Sequence, residues 1–81
     1  MTENFLSADD FRAGFATRLR VELAAKDISK TALARLAGVT PPTVWASCSG
    51  KGTMTVYTLY KVCSALNVSA DWLIFGDDGD G

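Results

Sequence analysis

The side chains able to do chemistry set the first limits on this 81-residue sequence. There is no histidine, and the two cysteines, Cys48 and Cys63, form no Cys-x-x-Cys pair. A tetrahedral zinc site takes about four nitrogen or sulfur ligands, so the supply is too small for a metal centre. Acid–base or nucleophilic catalysis fares no better. Without imidazole, without carboxylates that pair on one buried face and without a glycine-rich phosphate loop, an enzyme is the weakest class and no cofactor is expected. The thiols read as small apolar packing groups in a reducing, cytoplasmic setting.

What remains is ionic and hydrogen-bonding chemistry. The net charge of −1 argues at first against a polyanionic partner, but its distribution reverses that. Residues 11–70 hold all eight basic side chains (Arg12, Arg18, Arg20, Lys26, Lys30, Arg35, Lys51 and Lys61) against only Glu22 and Asp27. Outside this body lie Glu3, Asp9 and Asp10 on one side and Asp71, Asp77, Asp78 and Asp80 on the other. A cationic body between acidic ends suits phosphate contact. The same charges would serve equally as ordinary solvated helix faces.

These residues need elements to position them, and the pattern is helical throughout. Hydrophobic residues make up 48% of the chain with few Gly and Pro, so it should fold as one small domain, here taken as residues 1–76. A core of this size hides roughly 60% of the unfolded chain's surface, which demands tight helix packing or an oligomeric partner. Ser7-x-x-Asp10 opens a first helix as a capping box. Its apolar stripe is Phe11, Phe15, Leu19 and Leu23, and Asp27 ends it. Ser29 caps a second helix with Ala32, Leu33, Leu36 and Ala37 expected on the buried face, and Gly38 stops it. Thr40 caps a third, opened by Pro41 and Pro42, where missing N–H groups cost little. After Gly50-Lys51-Gly52, Thr53 or Thr55 caps a fourth, expected to bury Val56, Leu59, Val62, Cys63 and Leu66 before Asn67. Ser69 caps a fifth through Trp72, Leu73 and Phe75 to Gly76. The expectation is a compact all-α bundle of five helices. The stretch 77–81 has no core residue and reads as a flexible acidic tail or the start of a linker. No apolar run approaches the roughly 20 residues that cross a bilayer, so no membrane partner is expected.

Ala34, Gly38 and Val44 have the spacing of a tight helix-turn-helix over residues 29–49. A small residue stands where the helices cross, glycine takes the turn, and Val44 fills the wedge, with Leu33 and Val39 on the buried side. By itself this trio favours an ordinary αα-hairpin over a DNA-binding unit.

Several separated segments add to it. Ile28-Ser29-Lys30-Thr31-Ala32-Leu33-Ala34-Arg35-Leu36-Ala37-Gly38-Val39-Thr40, then Gly50-Lys51, then Leu66-Asn67-Val68-Ser69-Ala70-Asp71-Trp72-Leu73 resemble, in register, the lambda-repressor-like helix-turn-helix family of phage repressors and Cro proteins. The resemblance runs from about Phe15 to Gly76. It implies a five-helix domain that reads duplex DNA at a near-palindromic operator, often as a homodimer. The sequence departs from the family at Ser47-Cys48, where a Trp-Glu pair is common, and at Leu23, often the arginine that partners that glutamate. An apolar Leu23–Cys48 contact is the expected replacement for the ion pair. Lys30 stands where the family usually has a phosphate-binding glutamine.

On the third helix Val44, Ser47 and Cys48 should point inward and Pro42, Trp45, Ala46 and Ser49 outward, with Pro41 and Thr43 flanking that face. The resemblance implies that Pro41, Pro42, Thr43, Trp45 and Ala46 meet base edges in the major groove. No Arg, Lys, Asn or Gln is among them, so bidentate contacts to guanine or adenine are absent and thymine methyls become the natural targets. Trp45 serves either DNA or a protein surface. Lys30, Arg35, Thr40, Ser49 and Lys51 are the expected phosphate contacts, Trp72 a core residue, and Ile74 and Phe75 the candidate dimer surface. The favoured function is a sequence-specific repressor of phage or prophage type, either a complete Cro-like protein or the DNA-binding part of a longer repressor. The alternative is the same fold used for protein contact, as in an antirepressor.

Overall fold

A computed structural model describes residues 6–76. The acidic tail expected at 77–81 lies outside the described residues. The order is α1 (Ala8–Lys26), α2 (Lys30–Ala37), α3 (Pro41–Ser49), α4 (Val56–Leu66) and α5 (Ala70–Phe75). There is no strand among the described residues, and the five-helix bundle is as expected.

Helix starts follow from local chemistry. Ser7, Ser29, Thr55 and Ser69 each accept a hydrogen bond from the backbone N–H three residues on, the N-cap arrangement worth about 1 kcal/mol apiece. Ends are equally local. Asp27, Gly38 and Asn67 adopt the left-handed conformation, at φ of 57°, 70° and 57°. In each case the next amide, from Ile28, Val39 or Val68, bonds back to the carbonyl of Leu23, Ala34 or Cys63. A branched apolar residue thus follows the turn, and a Ser or Thr then stands at the N-cap position of the next helix. Asp27-Ile28-Ser29, Gly38-Val39-Thr40 and Asn67-Val68-Ser69 are one device used three times.

The core comprises Phe15, Leu19 and Leu23 of α1, Leu33, Ala34 and Ala37 of α2, Val44 and Cys48 of α3, Val62 and Leu66 of α4, and Leu73 of α5. Leu23 and Cys48 are both sealed within it, where the resemblance placed an ion pair. α1 packs on α3, α4 and α5, while α2 packs on α3 and α4. Phe11 and Trp72 are half-buried against this core, and the Trp72 indole N–H is buried without a partner.

Of the residues expected to be buried, Ala32, Leu59 and Cys63 are half-buried, and Leu36 and Val56 are exposed. Leu36 is 60% exposed, because the stripe that meets α3 and α4 is Leu33, Ala34 and Ala37, and Leu36 lies off that arc. Val56 is 85% exposed, since it opens α4 at the rim of an apolar groove rather than under another helix.

Candidate nucleic-acid interface

The turn between α2 and α3 is held by two backbone bonds and by Lys61, whose ammonium donates to the Gly38 carbonyl. Gly38 N–H donates to Arg35 at 3.3 Å and Val39 N–H to Ala34 at 3.0 Å. A Cβ on Gly38 would meet nothing within 4 Å, so glycine is required by its backbone conformation and not by crowding. Ala34 and Val44, respectively 4% and 0% exposed, let the two helices cross closely. This positions α3 with Val44, Ser47 and Cys48 inward, as expected.

Its other side is open. Pro41, Pro42 and Ser49 are exposed, Trp45 is 45% exposed, and Thr43 and Ala46 are half-buried on the flank. Thr40 is the N-cap by position but makes no side-chain cap bond. Pro42 has no N–H to offer it, and the Thr43 N–H is taken by the Thr40 carbonyl at 3.1 Å. The Thr40 hydroxyl instead pairs with that of Thr43 at 2.9 Å, which fixes both side chains at the open end of the helix. Ser49 Oγ donates to the Ala46 carbonyl at 3.1 Å.

The cations divide into two groups. Arg12 pairs with Asp9, and Lys26 with Glu22 at 2.8 Å. Arg18 donates to the Leu73 and Ile74 carbonyls, both at 2.9 Å, Arg20 donates to the Cys48 carbonyl, and Lys61 donates to the Gly38 carbonyl at 3.2 Å. Lys30, Arg35 and Lys51 make no ion pair and no side-chain hydrogen bond among the described residues. These three are the cations expected from the sequence to meet phosphate.

Helix termini add to the same field. α1 and α5 carry acids in their first turns, Asp9 and Asp10 in one and Asp71 in the other. α2, α3 and α4 carry none, so their partly positive N-termini are uncompensated. Lys30 is the first residue of α2, and Lys51 lies in the connection leading to α4. An anion therefore meets free cations and open helix ends on this middle unit, and carboxylates on α1 and α5. Burial pushes the Cys48 thiol above its ordinary value, while the nearby Lys30 and Arg20 charges pull it back in part.

Of the apolar candidates elsewhere, Ile74 is half-buried and lines a groove of about 200 Å³ with Phe11, Phe15, Met54, Val56 and Leu59. Phe75 is 73% exposed. Helical spacing alone does not mark the second exposed surface, Tyr57 and Tyr60 on α4, whose rings stack at 6.2 Å with Lys61 Nζ 4.6 Å from the centre of Tyr57. Among the described residues no cluster of three His, Cys, Asp or Glu could hold a metal ion. None of the described helices is long and apolar enough to cross a membrane.

Comparison with known proteins agrees with this geometry. Residues 18–72 match the model of the Cro/C1-type HTH DNA-binding domain. Among solved structures, the chain is similar to a hypothetical transcription factor, NHTF, from Neisseria, with a TM-score of 0.76 and 25% identity over 93% of this chain and 86% of that one. No curated protein matches.

Proposed function

The chain belongs to the Cro/C1-type helix-turn-helix DNA-binding family, and from that premise we propose that it is a sequence-specific transcriptional repressor of phage or prophage type. The observation that carries this reading is the division of the cations. Five of the eight are spent on carbonyls or carboxylates within the domain, and the three left over lie on the helix-turn-helix unit and the connection after it. In this reading α3 enters the major groove. Lys30, Arg35 and Lys51, helped by Thr40 and Ser49, hold the phosphates, and Pro41, Pro42, Thr43, Trp45 and Ala46 face the bases. With no amide or guanidinium on that face, recognition rests on thymine methyls, the Thr43 hydroxyl and DNA shape. The protein works in the cytoplasm as a homodimer through Ile74 and Phe75 on a near-palindromic operator, as one domain over residues 1–76.

Selection from a random duplex pool at low salt tests this. An enriched motif with two half-sites about one helical turn apart is expected. A pool returned without enrichment sinks the repressor reading and favours the second one, a helix-turn-helix used for protein contact. Exposed Trp45, beside a reading face without bidentate side chains, is what favours that alternative.

A further inference from the structure

Resting on the reading of α3 as the recognition helix, we propose that Arg20 of α1 is its positioning residue, setting where α3 sits against the rest of the domain and hence how it meets DNA. α3 has no charged residue, and its N-cap makes no side-chain bond to the backbone. Ser47, fully buried on its inward side, leaves its hydroxyl unpartnered. The remaining side-chain bonds at the helix, Thr40 to Thr43 and Ser49 to Ala46, stay within α3 and its cap. Arg20 Nη1, donating to the Cys48 carbonyl, is the one side-chain hydrogen bond that reaches α3 from another helix among the described residues.

Apolar packing of Val44 and Cys48 on the core is strong but non-directional, so it tolerates small slides and rotations of α3. A hydrogen bond is directional, and here it is charge-assisted at the negative end of the helix dipole. The second arm of the guanidinium lies 3.4 Å from Thr17 Oγ1, which itself donates to the Ala13 carbonyl at 3.0 Å. Arg20 is thereby tied to α1 while it holds the last turn of α3. It is exposed and contributes nothing to the apolar core, so its loss spares the fold.

The test compares the wild-type chain with Arg20→Met and Arg20→Lys. In free protein, Arg20→Met should speed hydrogen exchange of the α3 amides and those of Lys51 and Gly52, leaving α1 amides unchanged. Equal acceleration in both helices would overturn the proposal, as a plain loss of stability. On DNA, Arg20→Met should weaken the selected duplex about tenfold, change an unrelated duplex less than about threefold, and leave the salt slope intact. Equal weakening of both duplexes with a slope smaller by about 1 would instead make Arg20 a phosphate contact and overturn the proposal. Arg20→Lys keeps a donor able to reach the same carbonyl and should recover most of both losses. No recovery would rule out the bond to Cys48 as the cause. A wild-type chain without sequence preference would sink the repressor reading alone, since the exchange measurement decides the anchoring of α3 without DNA.

Discussion

Across its inward side α3 presents Val44, Ser47 and Cys48, each no more than 1% exposed, whereas its outward side presents Pro41, Pro42 and Ser49 to solvent and leaves Trp45 half covered. The inward residues are ordinary for a packed helix crossing. Small or branched groups, with Ser47 among them, fill the space against α1 and α2, which dictates their size. The outward residues have no neighbours that dictate them. Pro41 and Pro42 suit the start of a helix, and Thr40 and Thr43 pair there, but no neighbouring helix dictates their size. On the proposed reading, stability and recognition sit on opposite faces of one nine-residue helix, and a substitution on one face should leave the other property nearly untouched.

The sharpest way to break this contrast is on the inward face. Val44→Ala removes two buried methyl groups from a site with no exposure and should cost about 2 kcal/mol, read as a lower urea midpoint with an unchanged slope. Ser49→Ala, on the exposed side of the same helix, should change stability by less than about 0.5 kcal/mol. If the two were to cost the same, the division into faces would not hold.

Smaller effects are expected at the free cations. Lys30→Ala, Arg35→Ala and Lys51→Ala should each weaken every duplex alike and lower the salt slope by about 1, with stability unchanged. Thr43→Ala should do the reverse, altering which bases are preferred at constant slope. Titration of binding against salt on two unrelated duplexes separates the two outcomes.

The smallest effect concerns the thiols. Burial raises both Cys48 and Cys63 above their ordinary value of 9.0, so the folded state holds their protons longer than the unfolded chain does. Stability is then fully present below about pH 9 and falls as pH rises through the raised values. Urea midpoints measured from pH 7 upward should decline only beyond about pH 9. A decline that began near pH 7 would show that these thiols are not the cause.

Much of the inward face was legible beforehand because it obeys local and periodic rules. The stripe Phe15, Leu19 and Leu23, the Ala34–Gly38–Val44 trio and the orientation of Val44, Ser47 and Cys48 all follow from helical spacing and one left-handed turn. Leu36 and Val56 were misread because periodicity marks an apolar arc without marking where the neighbouring helices stop. The open face is legible only as composition. Its lack of guanidinium and amide groups can be read from residues 41–49, but not what meets them.

The sequence by itself determined where each helix begins and ends. Ser7, Ser29, Thr55 and Ser69 at four of the starts and Asp27, Gly38, Asn67 or Gly76 at an end act within a few residues, so no distant partner is needed to place these boundaries. Only the tertiary structure decided which cations are left free. Arg18, Arg20 and Lys61 are bound by carbonyls 55, 28 and 23 residues away, distances at which no spacing rule operates. Lys30, Arg35 and Lys51 are distinguished from them by packing alone. The same physics gives α3 its one side-chain hydrogen bond to α1 among the described residues, through Arg20, which no local spacing marks.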